Sequence, residues 1–280
     1  KQTNFSFDWR MSLSQNITRS LRLNYNATNS NIISEDTNFQ NSSLGIFDNF
    51  FNTGSPNNFG QSLSLNYILP FEYLPFLNFI DGSYTYTGNF NWERGSDVFS
   101  SIRSESGEIL GIVNTIQNAN TQNFVLNFNF NQIYRDIPWL NSDENILKSL
   151  IKSTRRLRFN YSENSGKVLP GFLPSIGFLG TSKPSLGFVF GSQSDIRYEA
   201  AKNGWLTDFP TFNESFKQIY NSKFDLLGEL EFFQIIKLDI IANRSYSNNF
   251  SENYRVDNNI YSSLNPNYYG NFSISTNMLR

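Results

Sequence analysis

The chain contains no cysteine and no histidine. Without cysteine there is no disulfide framework, zinc knuckle, iron–sulfur site or thiol nucleophile. Without histidine the Ser-His-Asp triad, imidazole metal sites and the usual near-neutral proton shuttle are excluded. Charged residues make up only 16% of the 280 and nearly balance at −2, which argues against binding nucleic acid through a basic surface. No run of 18 or more apolar residues occurs, so no membrane-spanning helix is encoded. The opening KQTNFSFDWR has no initiator Met, basic n-region or apolar h-region. It is expected to follow a removed signal or to lie inside something longer.

What is present is aromatic and amide-rich: 28 Phe, 14 Tyr and 4 Trp, with Asn at about one residue in seven. That much Phe, Tyr, Leu and Ile at low charge excludes a disordered chain. The periodicity is two, so successive side chains fall on opposite faces of a strand. Phe5, Phe7, Trp9, Met11 and Leu13 alternate with Ser6, Asp8, Arg10 and Ser12. Leu21, Leu23, Tyr25 and Ala27 oppose Arg22, Asn24, Asn26 and Thr28, and Leu63, Leu65, Tyr67 and Leu69 form a third apolar face. Tyr84, Tyr86, Gly88, Phe90 and Trp92 oppose Thr85 and its polar neighbours. Phe124, Leu126, Phe128 and Phe130 oppose Asn127, Asn129 and Asn131, and Leu157, Phe159 and Tyr161 oppose Arg156, Arg158 and Asn160. Phe216 to Phe232 faces away from Lys217, Lys223, Asp225, Glu229 and Glu231. Leu238 and Ile240 oppose Lys237, Asp239 and Asn243, and Phe272, Ile274 and Met278 close the series.

About nine antiparallel strands follow, most near the 9–11 residues that cross a bilayer at a tilt. The charges fall on the polar faces, with Arg244 the only clear intruder on an apolar one. Lysine or arginine facing lipid at the midplane costs about 2–4 kcal/mol, so such sorting suits a barrel wall. A soluble sheet with one packed face sorts its charges too. Turns around 14–19, 70–79 and 233–236 are expected to be short. Those around 29–61, 93–121, 163–213 and 248–266 are expected to be long, with a helix from Ser142-Asp143-Glu144 to about Lys152 inside the connection 132–154. This alternation matches short periplasmic turns and long extracellular loops. An odd strand number and the absence of a terminal aromatic leave two readings: a small barrel with trimmed ends, or a wall segment of a larger one.

The stretches 114–121 (NTIQNANT), 169–174 (LPGFLP), 187–191 (GFVFG), 204–207 (GWLT), 242–252 (ANRSYSNNFSE, apart from Asn248) and 265–272 (NPNYYGNF) recur in an order that resembles one family. It is the giant translocon barrel of the Bacteroidetes type IX secretion system, the gliding-motility family SprA or Sov. The resemblance implies an outer-membrane barrel of about 36 strands. It further implies conduction of folded cargo proteins with a C-terminal secretion signal, and partnership with a FadL-like shuttle barrel and a periplasmic plug protein.

The expected fold class is therefore all-β: an antiparallel transmembrane β-barrel wall over 1–280, a single segment with no separate soluble domain. Asp8, Arg10, Arg22, Asn24, Asn26, Thr85, Asn127, Asn129, Arg158, Asn160, Asp225, Glu229, Asp239 and Asn243 are expected to line the pore, although any one of them would serve equally as a solvated surface residue. Phe5, Phe7, Trp9, Leu21, Leu23, Leu65, Tyr84, Phe128, Phe130, Leu226, Leu238, Ile240, Phe272 and Ile274 are expected to face lipid. Tyr67, Phe71, Tyr73, Tyr84 and Trp92 are candidates for an interfacial girdle, with the apolar turn through Pro75 and Phe76 at the membrane edge. The apolar stretch 169–191 is expected in a long loop, folded inward to narrow the pore, covering the rim, or packed on itself. Asp195 to Asn203, ahead of Gly204, predicts a short helix. The acidic pairs Asp143/Glu144 and Glu229/Glu231 lack calcium-loop spacing, and the sequons at Asn4, Asn26, Asn41, Asn213 and Asn271 follow from composition. No enzyme activity, cofactor, metal or nucleic-acid partner is expected. The expected partners are outer-membrane lipid, the rest of the parent barrel, the shuttle, the plug and secreted cargo. Two rivals remain: a porin or nutrient-transporter barrel closed by this chain alone, and a secreted β-sandwich adhesin or glycan-binding module.

Overall fold

The structure, a computed structural model, describes residues 4–34, 54–74, 77–96, 103, 107, 111–136, 138–141, 146–232 and 235–279. Nine strands form one sheet in strict sequence order: β1 Asn4–Asn16, β2 Leu21–Ser34, β3 Ser55–Leu69, β4 Ile80–Glu93, β5 Asn114–Asn129, β6 Thr154–Phe172, β7 Ser215–Phe232, β8 Ile236–Asp257 and β9 Ile260–Leu279. Every neighbouring pair is antiparallel. Among the described residues no ladder joins β1 to β9, so the sheet is open at both edges.

The all-β class and the count of nine agree with the alternation, but the strands are longer, at 13 to 22 residues. The largest difference is at 248–266. Instead of a long loop, β8 runs on to Asp257 and turns into β9 through Asn258 and Asn259 alone, with φ of 51° and 64°. Both residues sit in the left-handed region that a type I′ hairpin turn demands and that Asn tolerates. The short–long alternation therefore breaks at its last member. The connection 130–153 carries three short helices, α1 Phe130–Asp136, α2 Pro138–Asn141 and α3 Ile146–Ile151. Phe130 is thus the first helical residue and not the last apolar position of β5, a correction to its expected strand role. It stacks on Phe128 at 6.1 Å and stays with the greasy cluster there. The expected cap at Ser142-Asp143-Glu144, the turn residues Pro75 and Phe76, and Asn41 lie outside the described residues, as do the side chains of Asn4, Phe5 and Met278.

The core is one-sided. The connection 173–214, with α4 Leu186–Val189 and α5 Arg197–Lys202, folds back over the sheet. Its Phe188, Val189, Ile196, Ala200, Ala201 and Leu206 are buried against Phe59, Phe90, Trp92, Ile116, Leu169 and Phe216 of the strands. The helix expected at Asp195–Asn203 is present as α5, stopped by Asn203 and by Gly204 at φ 65°.

Candidate functional site: a banded face, a polar face and a cap

Strand alternation and register place the fourteen expected pore-lining residues on one face of the sheet. Asn127 pairs with both Asp81 and Arg158, while Arg156, Glu229 and Asp239 sit in consecutive strands one row away. Asn160, Asp225 and Asn243 form the row on the other side of Arg158. Cross-strand hydrogen bonds knit this face: Ser12 Oγ donates to Asn26 at 2.7 Å, Ser14 Oγ to Asn24 at 2.8 Å, and Arg22 Nη2 to Ser14 at 3.0 Å. Lys223 stands 3.2 Å from Asp225. Both signs are interspersed, and among the described residues no cluster of three or more acids is placed to hold a metal ion.

The opposite face carries Phe7, Leu21, Leu23, Leu65, Tyr84, Phe128, Leu226, Leu238, Ile240, Phe272 and Ile274, none of them buried. Their placement along the strands is informative. On β2, β3, β5, β6, β7 and β8 the apolar run is broken after Ala27, Leu63, Phe124, Tyr161, Phe224 and Ala242, by Asn29, Gln61, Gln122, Glu163, Ser222 and Arg244; on β4 no polar residue breaks it, and Phe90 and Trp92 continue it beneath the cap. Direct partners of Ala27 run through Gln61, Phe90, Asn118, Lys167 and Gln218 to Phe250 on β8. Phe250 lies eight residues from Ala242, so the boundary drifts about 26 Å along the strands while crossing about 29 Å of sheet. The apolar region is therefore a stripe inclined to the strand normal by about 42°. Tyrosines mark its boundary. Tyr25 OH donates to Gln61 at 3.1 Å, Tyr84 OH to Gln122 at 2.9 Å, Tyr86 OH to Phe190 O at 2.7 Å and Tyr161 OH to Glu163 at 2.9 Å. Of the expected girdle, Tyr84 belongs to this row. Trp92 does not: it is 1% exposed under the cap, and its indole N–H donates to Pro174 O at 3.1 Å.

Beyond the tyrosines the same face is covered, and carries polar residues among the buried Phe59, Phe90, Trp92, Ile116, Leu169 and Phe216. Glu163, Lys167 and Glu252 share it with Arg244, so Arg244 is not the lone charged intruder. Arg244 itself lies over the Phe272 ring at 5.5 Å. The cap packs here, on the face of the apolar stripe and not on the polar face, so the 169–191 stretch does not fold onto the polar side. A four-residue helix leaves its terminal carbonyls without helical partners. The sheet supplies donors to them: Gln61 Nε2 reaches Val189 O at 2.9 Å, Asn118 Nδ2 reaches Phe188 O at 3.1 Å and Ser192 O at 2.7 Å, and Asn120 Nδ2 reaches Gly191 O at 2.9 Å. Lys167 Nζ donates to Gln193 O and, at 2.8 Å, to Ser194 O. Gly88 lets the cap come this close, since a Cβ there would stand 2.1 Å from Phe190 O.

Arg197 of α5 fastens the other end. Its guanidinium pairs with Glu252, binds Asp195 at 2.8 and 2.9 Å, and lies 4.6 Å over the Phe216 ring. Glu252 is 2% exposed and also accepts from Tyr261 OH at 2.7 Å and from Ser263, so the buried carboxylate is fully bonded. Burial pushes the Asp195 carboxyl up, but the hydrogen bonds and charge of Arg197 outweigh it and hold the group below the usual carboxylate range. The sequence alone does not reveal these fastenings, because each needs a loop partner. Their only trace in the sequence is that Asn114, Asn118, Asn120 and Gln122 take the parity of the greasy Phe124 and Leu126. No protein-family model matches the chain, and no curated protein is found to be similar to it.

Proposed function

We propose that this sheet is part of the wall of a wide outer-membrane β-barrel in a Gram-negative bacterium, its stripe toward lipid and its polar face toward a water-filled conduit. The observation that carries this reading is the inclined, uncovered apolar stripe. Barrel strands tilt by about 35–45° to the membrane normal, so a horizontal hydrocarbon layer crosses their hydrogen-bonded rows obliquely. The drift of about 42° is what that geometry requires. In a packed sandwich a second sheet would cover the greasy region, and among the described residues none lies over this one. On β7 the stripe runs from Phe224 to Phe232, about 27 Å along the strand and about 20 Å in projection, against an apolar band about 25 Å tall in outer-membrane barrels. The tyrosine row stands where an interfacial girdle belongs.

The open edges favour a wall that other strands complete over a porin or nutrient transporter closed by this chain alone, since a bare edge invites uncontrolled pairing. Four of the six motifs that resemble the SprA or Sov translocon family lie together: 114–121, 169–174, 187–191 and 204–207 all meet in the cap and its seat. On that resemblance the conduit passes folded cargo proteins, with a FadL-like shuttle and a periplasmic plug as partners. The mixed-sign Asn, Ser and Thr face suits varied cargo, because it presents no strong field of one sign. One observation favours the soluble two-layer rival, the packed core beneath the cap, but that core stops at the tyrosine row.

A cysteine scan of 123–128 in lipid vesicles tests the wall. Nitroxide labels at 124, 126 and 128 should collide with oxygen and avoid a water-soluble nickel chelate, and those at 123, 125 and 127 should do the reverse. Absence of this alternation would remove the membrane reading. Depletion of the protein in cells should leave cargo trapped in the periplasm; unchanged surface display would remove the secretion reading alone.

A further inference from the structure

The cap carries one element that its anchoring does not explain. Gly177 and Gly180 close a tight turn through reciprocal backbone hydrogen bonds, each 3.0 Å, and the two residues at its tip are Phe178 and Leu179. Turn tips are ordinarily Gly, Pro, Asn, Asp or Ser. Here they are 51% and 72% exposed and wholly apolar. The turn is seated on the sheet by its glycines: a Cβ on Gly180 would meet the Phe59 ring at 2.5 Å, and its φ of 99° suits glycine. The Phe178 ring rests 5.4 Å from Trp9.

Because the stripe is inclined, its height differs from strand to strand. Over β5 to β8 the cap lies clear of it. On β1 the stripe has climbed to Phe7, Trp9, Met11 and Leu13, and the turn reaches that same level. Phe7, Met11 and Leu13 are 37%, 41% and 53% exposed. The tip therefore extends the greasy surface of β1 outward from the sheet without a polar break, its two backbone amides at the base already satisfied by each other.

We propose that Phe178 and Leu179 form a hydrophobic finger that dips into the acyl boundary of the bilayer beside β1 and holds the cap at the membrane surface. The occupant is lipid because the finger continues the stripe, and its two side chains offer no charged or hydrogen-bonding group for a polar ligand. This inference rests on the membrane-wall reading, and the experiment separates the two.

The chain has no cysteine, so single-cysteine labels report one place each. Leu179→Cys is labelled with a nitroxide in the full chain reconstituted into phosphatidylcholine vesicles, beside Leu126→Cys in the stripe and Asn203→Cys on the exposed end of α5. The finger predicts a ratio of oxygen to nickel-chelate collision at 179 within about threefold of that at 126 and at least tenfold above that at 203. A chelate-accessible 179 with an oxygen-favoured 126 overturns the finger and leaves the wall intact. A label at 179 shielded from both reagents overturns it in favour of a protein partner or a second copy. Chelate access at 126 overturns the wall, and the finger with it.

Discussion

Leu126 and Asn127 are adjacent on β5 and point to opposite faces, which makes them a matched pair for arginine substitution. Leu126 is half-buried between Gly82 and Phe159 of the neighbouring strands, with no second layer over it. In water, Leu126→Arg would lose part of one leucine's burial while the guanidinium remained solvated, a cost of about 1 kcal/mol or less. With hydrocarbon outside, the same charge near the midplane costs about 2–4 kcal/mol. Asn127→Arg adds a cation beside Asp81 and Arg158 on an already polar face, for a change within about 0.5 kcal/mol either way. The measurement is the guanidinium unfolding midpoint and slope of the three proteins refolded into vesicles. A difference of about 2–4 kcal/mol between the two arginine variants is expected. Equal stabilities would refute the reasoning, since they would mean that both faces meet the same solvent.

The cap yields sharper local tests. Asn118→Leu deletes two donated bonds and the one accepted from Gln193 Nε2 at 3.1 Å in a site 4% exposed, a loss of about 3 kcal/mol at about 1 kcal/mol per bond. Hydrogen exchange at the amides of Val189 to Ser192 should quicken roughly 100-fold, with β2 unaffected; unchanged protection there would remove the assigned fastening. Gly88→Ala should lift the cap and raise protease cleavage within 173–214, whereas Gly60→Ala, whose nearest atoms would be 3.4 Å and 3.5 Å away, should not. Equal cleavage in the two variants would argue against the close approach. Asp195 has a folded pKa depressed below its unfolded value of about 3.9. Its contribution to cap docking is therefore complete above about pH 5 and is lost as acid takes the carboxylate down through its lower folded value. Cleavage within the cap should rise below about pH 4 in the native chain and show a weaker pH dependence in Asp195→Asn; an identical profile would place the titration elsewhere.

How much could be read in advance differs from strand to strand. β1, the first half of β2 and the end of β5 from Phe124 to Phe128 alternate cleanly because one side of each is greasy there. The upper part of β8 reads as loop because 248–266 is rich in Asn and Ser, and Asn248 and Glu252 stand where the alternation calls for apolar residues. The reason is tertiary: Glu252 is charged because Arg197, fifty-five residues earlier, descends on it. Phe130 continues the alternation of Phe124, Leu126 and Phe128 and yet begins a helix. Parity alone does not reveal where a strand stops when the next residue stays in the same greasy cluster.

The order of residues along the chain was sufficient for the class of fold, the number of strands and the two faces, since each is set by neighbours two positions apart. What required the folded molecule was the relation between strands: the oblique course of the stripe, the face on which 173–214 lies, and the reason amides interrupt a greasy row. Those depend on register and on contacts between residues far apart in the chain, as between Gln61 and Val189, 128 residues on, which no local period encodes.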